Sequence, residues 1–330
     1  MVLILDLITP FITAGTAKKK KKKKTHCNEK FGTFQSDEMG HLISSHLLQQ
    51  NHQKDPPKHP TNIMEHALVK QLAGHKQETR EQALESVRKY LTTKNFSNAK
   101  QSQFDKLWKG LYYAMWHCDK PIPQQRLAQS LGELHLLYAR TRQHVAFVRF
   151  SKAFWKVMCI EWYRIDHHRL DKFLLLARRC LHFQLKYLAE CDWEESVVDD
   201  YISKVLKKIP LSGDRKVYNG IPFHIIDILL DEWVKVCYGE PEEEPEEEED
   251  DDEEKRNAQI KEAVSKTPLV KFIAIFQDLS SNTDNIKILR DKIKEDLLKD
   301  KRLREWDVLQ PESTTQDDET YHEDDEWHGF

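Results

Sequence analysis

Residues 107–121 read LWKGLYYAMWHCDKP, a run dense in aromatic side chains that stops at a proline. With Phe104 just upstream, Leu107, Trp108, Leu111, Tyr112 and Met115 recur at intervals of three and four, the spacing that gathers side chains on one face of an α-helix. Asp105, Lys106 and Lys109 fall elsewhere on the wheel. A face this wide and this aromatic predicts a helix buried against other helices, with Trp108, Tyr112 and Met115 in the core. The competing reading is a platform for stacking bases, which would need rings left in solvent. Trp116 stands at the end of that face. If fully buried, its truncation to alanine would cost roughly 3–5 kcal/mol; if exposed, it would be free to stack.

Working outward, the same texture recurs from Ile63. IMEHALVKQLA, ending at Gly74, and QETREQALESVRKYL, with Ala83, Leu84, Val87 and Leu91 on one face, are expected to form a helical hairpin. Pro121 and Pro123 restart the chain for IPQQRLAQSLGELHLLYA. Further helices are expected in HVAFVRFSKAFWKVMCIEWYR, HHRLDKFLLLARRCLHFQLKYLAE, WEESVVDDYISKVLKKI and FHIIDILLDEWVKV. No period-two alternation with tight-turn residues occurs between residues 63 and 238, so the fold is read as all-α. Antiparallel helices with mostly short connections favour an irregular stack of helical pairs of the HEAT or armadillo kind, without a strict sequence repeat.

Charge divides the chain. The overall −4 resolves into +5 for residues 1–62, +8 for 63–238 and −17 for 239–330. A basic body with an acidic tail suits polyanionic or acidic partners. Residues 1–62, with seven consecutive lysines from Lys18 to Lys24, are expected to form a disordered leader. Its apolar start is interrupted by Asp6 and Pro10 and is too short to span a bilayer. The lysine run fits a nuclear-import or nucleic-acid patch, and equally a leader read from a wrong first exon. The block EPEEEPEEEEDDDEE, residues 240–254, is expected to loop out unstructured from a helical domain spanning 63–309. Helices return around Leu269, Phe272, Ile273 and Phe276 and around Ile286, Leu289, Ile293 and Leu297. Residues 310–330 read as a disordered acidic end. Six cysteines without a Cys-x-x-Cys pair suggest a reducing compartment, cytosol or nucleus.

Phosphate-cradling glycine loops and nucleophile elbows do not occur among the ten glycines. Two histidine clusters could in principle hold a metal: Asp166, His167, His168 and Asp171 at a helix start, and His224, Asp227 and Asp231 at i, i+3 and i+7 on one face. Carboxylates near a helix start are favourable for dipole reasons alone, and no metal, cofactor, small-molecule substrate or membrane is expected. Basic side chains make the stronger case. Arg140, Arg142, Arg149, Lys152 and Lys156 are read as riding on the helix around Phe150. Arg178, Arg179 and Lys186 ride on the next, and Lys204, Lys207, Lys208, Arg215 and Lys216 surround the turn that follows. They are candidates for an RNA or protein contact surface, with a solvated, ion-paired face as the plain alternative.

LWKGLYYAMWHCDKPIPQQRLAQSLGEL, EWYRIDHHRLDKFLLLARRCL, WEESVV and NGIPFHIIDILLDEWVKV, in that order, resemble the signature segments of the ribosomal RNA processing protein 1 family, nucleolar proteins of eukaryotes. The likeness extends over about residues 63–309. It implies a non-enzymatic scaffold in the nucleus and nucleolus. Such a protein accompanies precursors of the large ribosomal subunit and binds pre-rRNA and assembly factors during spacer processing. The leader and the acidic ending depart from many members, which carry a long basic C-terminal extension, so functions of such an extension are not expected here. Two other classes stay open from the residues: a metal-dependent RNA-processing enzyme built on His224, Asp227 and Asp231, and a HEAT-like protein adaptor without RNA contact.

Overall fold

The aromatic stripe around Trp108 is a helix with that face wholly inside. The computed structural model describes residues 71–72, 76–239 and 250–309, all within one unit, His59–Phe330. The expected leader (1–62), most of the first expected helix, residues 240–249 of the acidic block and the tail (310–330) lie outside the described residues. The described residues contain no strand. The helices are α1 (Gln77–Leu91), α2 (Lys94–Ser97), α3 (Gln101–Trp116), α4 (Pro121–Glu133), α5 (His144–Glu161), α6 (His167–Glu190) and α7 (Glu195–Tyr201). They continue with α8 (Gly220–Cys237), α9 (Asp250–Ser265), α10 (Leu269–Ser281), α11 (Lys287–Lys292) and α12 (Lys301–Glu305).

Local chemistry sets the ends. Pro121 opens α4 at the position where its missing N–H costs nothing. The carboxylate of Asp166 caps α6 by accepting the Arg169 N–H, and Asp300 does the same for Arg302 at α12. Lys172, on α6, closes the far end of α3 by donating to the carbonyls of Trp116 and Cys118 at 2.7 and 2.9 Å. Helix α9 begins at Asp250, inside the stretch 240–254 expected to loop out. Further along that helix Ile260 and Val264 are buried. Helices α7 and α11 each run on into a π-helical turn, Ile202–Leu206 and Ile293–Leu298.

Helices two apart in the chain lie side by side and parallel. Between α3 and α5, Gln101 reaches the Arg149 carbonyl, Asp105 reaches Lys156, and the Tyr112 hydroxyl faces the Glu161 carbonyl. Between α6 and α8, His224 donates to the Leu174 carbonyl, and Arg178 and His182 meet Glu232. Helix α4 and the 3-10 segment Leu134–Tyr138 follow α6 in the same sense, Gly132 against Arg179 and His135 against Gln184. This layering is compatible with a HEAT-like stack.

Aromatic rings fill the space between the layers. Trp108 packs on Phe150 and Phe154, with ring centroids 4.9 and 4.8 Å away. Phe147 stacks on Tyr187 at 3.6 Å, and Trp193 stacks on Trp233 at 5.0 Å. Phe104, Leu107, Trp108, Leu111, Tyr112 and Met115 are all buried. Trp116 is only partly buried: it touches Tyr112 and Phe173 and is covered by the Arg169 guanidinium, 4.7 Å from its ring centroid. That cation lies over the ring, which distinguishes this edge of the core from Trp108.

The core also holds a closed polar set. His135 donates Nδ1–H to the Gly132 carbonyl, so its Nε2 accepts from the Gln184 amide at 3.0 Å. The Gln184 carbonyl oxygen in turn accepts from Trp155 Nε1 and the Tyr201 hydroxyl, at 2.9 and 2.6 Å. Burial drives the His135 pKa down to about 3, which keeps the ring neutral and able to accept. Four elements are joined by one network with its partners in place, a strong specifier of which helix meets which.

Candidate nucleic-acid interface

The structure sorts the basic residues by what they already hold. Arg149 lies on α5 and donates to the Ala99 carbonyl at 2.8 Å, and Lys156 pairs with Asp105 at 2.7 Å. Arg178 bridges Asp231 and the fully buried Glu232. Lys204 pairs with Asp200 at 2.6 Å and Lys207 with Asp278 at 2.7 Å, beside Lys271 on Glu195 and Asp199. These side chains knit α3 to α5, α6 to α8 and the α7 region to α10. A paired, part-buried cation such as Arg178 has little field left for a phosphate, whereas Lys204 and Lys207 are paired at the exposed surface.

Arg140, Arg142, Lys152, Arg179, Lys186, Lys208, Arg215 and Lys216 have no ion-pair partner among the described residues. Arg140 and Arg142 do not ride on a helix as expected. They sit in the turn between the segment Leu134–Tyr138 and α5, where Arg142 takes a positive φ of 47°. That turn continues the stretch running alongside α6. Burial pushes the Cys191 thiol at the end of α6 up; the Tyr187 hydroxyl and the Arg142 charge pull against that, while Glu190 and Glu194 push with it. Arg179 and Lys186, seven residues apart, share a face of α6 near Gly132 and Phe183. Arg140 and Arg142 in the turn, and Arg179 and Lys186 on α6, are thus four cations without an ion-pair partner among the described residues, on two segments that run alongside one another. Lys152 lies on α5, while Lys208, Arg215 and Lys216 belong to the connection before α8.

The acidic and histidine clusters are occupied structurally. His224 Nε2–H is held by the Leu174 carbonyl at 2.9 Å, and burial lowers its pKa. Asp227 pairs with Lys292 at 2.7 Å, and Asp231 with Arg178 and Arg302 at 3.2 and 2.9 Å. Asp166 caps α6, and the His167 and His168 rings lie tilted against each other, 3.7 Å between centroids. Among the described residues, no group of three or more His, Cys, Asp or Glu side chains comes together as a metal site would require. Burial alone would raise the Glu232 pKa, but hydrogen bonds from His182 and Arg178, with Lys235 3.5 Å away, bring it down to about 2. It is a buried tie between α6 and α8 whose charged form these donors favour.

Sequence reading missed Tyr163 and Tyr218. Both are exposed, at 61% and 47%, and their rings meet edge to face at 5.5 Å beside Arg215. The available signal was an aromatic residue outside any helical stripe, next to a helix end, in EWYRID and KVYNGIP.

Helices packed around an aromatic core, with no strand among the described residues, define an all-α protein. The family model described as the nucleolar protein Nop52 matches residues 63–328, and the chain belongs to that family, as the signature segments implied. It is similar to human ribosomal RNA processing protein 1 homolog A, 37% identical over 173 residues, which are 51% of this chain and 36% of that protein. Human homolog B is 34% identical over 185 residues, 55% of this chain and 23% of that protein. The Drosophila melanogaster homolog is 27% identical over 199 residues, 58% and 28% of the two chains. The match thus spans about a quarter to a third of the length of these relatives. Among the described residues no helix is long and apolar enough to cross a membrane.

Proposed function

We propose that this chain is a non-enzymatic scaffold in ribosomal RNA processing, working in the nucleolus on precursors of the large ribosomal subunit and binding pre-rRNA and assembly factors through its outer faces. Family membership and the names of the relatives support the process. The observation that carries the mode of action is the set Arg140, Arg142, Arg179 and Lys186, four cations that form no ion pair among the described residues. Unpaired cations on rigid segments attract a polyanion and fix its register without reading sequence. The metal-enzyme reading finds little support in His224, Asp227 and Asp231: the two carboxylates pair with Lys292, Arg178 and Arg302, and among the described residues the three side chains do not gather into a metal-holding group.

The test is sedimentation of tagged variants with precursor particles, with processing read on extracted RNA. Arg140, Arg142, Arg179 and Lys186 changed together to Glu should release the protein from precursors at low salt, the difference from wild type narrowing as salt rises. A Lys204→Gln, Lys207→Gln control touches cations already paired and should leave association intact. Unchanged co-sedimentation of the fourfold variant would overturn the reading.

A further inference from the structure

A cleft of about 210 Å³ lies where the connection before α8 meets the turn between α10 and α11. Its rim is aromatic. Tyr218 is held across the start of α8 because Gly220 has no side chain: a Cβ there would sit 2.9 Å from the Tyr218 ring and 3.3 Å from Trp162 Nε1. Tyr163 is steadied by donating its hydroxyl to the Lys216 carbonyl at 3.2 Å. The connection itself is pinned. Asp214 accepts the Lys216 N–H at 2.9 Å, and Gly213, at φ +72°, lies so close to Asn285 that a Cβ would be 2.3 Å from its Oδ1. Asn285 is anchored in turn to the Leu279 carbonyl.

This rigid seat has unused polar groups. The Arg215 guanidinium, the Lys216 ammonium, the Asn219 carboxamide and the Tyr218 hydroxyl have no hydrogen-bond or ion-pair partner among the described residues. Below them, Leu279, Ile286 and Leu289 provide an apolar floor. The volume suits one flat group and is too small for a helix. Two tyrosines for a π-face, an amide at the edge and two free cations outside match an unpaired nucleobase with its phosphates. An apolar peptide side chain would use the floor and leave both cations idle.

We infer that the Tyr163–Tyr218 cleft binds one unstacked base of single-stranded RNA, with Arg215 and Lys216 on the flanking phosphates. The inference rests on the proposed RNA-binding role and names a subsite within it, separate from the set Arg140, Arg142, Arg179 and Lys186.

The test uses the full chain and a short oligouridine carrying one 2-aminopurine, with a duplex RNA of equal length as comparison. Binding should be stronger for the single strand, and the 2-aminopurine fluorescence should fall as the base stacks on a ring. Tyr218→Ala and Tyr163→Ala should each weaken binding about tenfold and abolish the quench. Tyr218→Phe should retain the quench. Arg215→Gln should reduce the slope of log affinity against log salt by about 0.7. Matching unfolding midpoints in urea exclude misfolding as the cause. Wild-type affinity and quench in the tyrosine variants overturn the assignment. So does no binding of the oligouridine by wild type, or binding of a proline-rich peptide that Tyr218→Ala abolishes. Each of these failures leaves the co-sedimentation of the fourfold variant with precursor particles as a separate result, so the scaffold reading stands or falls on its own.

Discussion

Lys172, on α6, donates a hydrogen bond to the carbonyl of Trp116, the last residue of α3, at 2.7 Å, and its ammonium is almost wholly inside the protein. A second bond at 2.9 Å goes to the Cys118 carbonyl, which also accepts from Gln124. One lysine thus satisfies carbonyls that the end of a helix leaves open, and ties α3, the turn to α4 and α6 together. Lys172→Met keeps the apolar stem and removes the donor. It should destabilise the fold by about 2–3 kcal/mol, the cost of leaving charge-bonded buried carbonyls unpaired. An unchanged urea midpoint would show that water replaces the ammonium.

Gly132 is set by approach, not by conformation. A Cβ there would lie 2.5 Å from Phe183 Cδ2 and 3.0 Å from the Arg179 carbonyl, and the latter is backbone that cannot swing aside. Gly132→Ala should cost about 1–3 kcal/mol, as overpacking does. Adding Phe183→Leu should recover only part of the loss, since the carbonyl contact stays. Full recovery in the double variant would show that the ring alone sets the spacing of α4 and α6.

Acid should weaken the fold in a way that one residue reports. The Glu232 pKa falls from an ordinary 4.5 to about 2 in the folded protein. Because the folded value is the lower one, its contribution is complete above pH 4.5 and is lost as pH falls toward 2. Two and a half units correspond to about 3 kcal/mol. His135, lowered to about 3 by burial, acts in the same direction over a higher window, full above its ordinary 6.5 and fading as pH falls. The difference between wild type and Glu232→Gln cancels the histidine. That difference, from urea titrations at successive pH values, should shrink between pH 4.5 and 2 and stay flat above. A flat difference throughout would mean that Glu232 is not ionised in the folded state.

The two tryptophans of α3 should part company. Trp108 is about 1% exposed among Phe150, Phe154 and His135, and Trp108→Ala should cost about 3–5 kcal/mol. Trp116 keeps one side toward Arg169, and Trp116→Ala should cost about 2 kcal/mol, its partial burial plus a cation–π contact. Equal losses would show that Trp116 is as deeply buried as Trp108. Calorimetric or urea midpoints of the two variants decide it.

These residues also mark what a sequence discloses. The period of Phe104, Leu107, Trp108, Leu111, Tyr112 and Met115 is local, so the helix and its buried face follow from spacing alone. Pro121 and Asp166 announce helix starts in the same local way. Whether Arg178 faces solvent or Glu232 depends on a residue more than fifty positions away, and no periodicity carries that information. Of the thirteen basic candidates, Arg149, Lys156, Arg178 and Lys207 hold partners fifty or more positions away for this reason, while Lys204 holds the local Asp200. The helix over residues 250–254 was hidden because net charge there argues for self-repulsion, while its stability comes from Ile260 and Val264 downstream. Tyr163 and Tyr218 are far apart in sequence and acquire meaning only when Gly220 and Trp162 bring them together.

The acidic residues of α8 offer the sharpest separation between a structural and a metal-binding reading. Asp231 accepts from Arg178 on α6 and from Arg302 on α12, and Asp300 holds the other side of the same guanidinium. Asp231→Asn leaves two arginines sharing a neutral amide, and should cost about 1–2 kcal/mol, most of it in the docking of α12. In hydrogen exchange the amides around Leu303 and Trp306, both buried, should lose protection before those of α6. Zinc, manganese or a chelator should leave the Tm of wild type unchanged, because Asp227 and Asp231 already face Lys292, Arg178 and Arg302, and among the described residues these side chains do not gather into a metal-holding group. A metal bound there at a hundred times its Kd would add about 2.7 kcal/mol to stability. A rise in Tm with added zinc that vanishes in His224→Gln would therefore overturn the structural reading of this face and revive a metal-dependent activity.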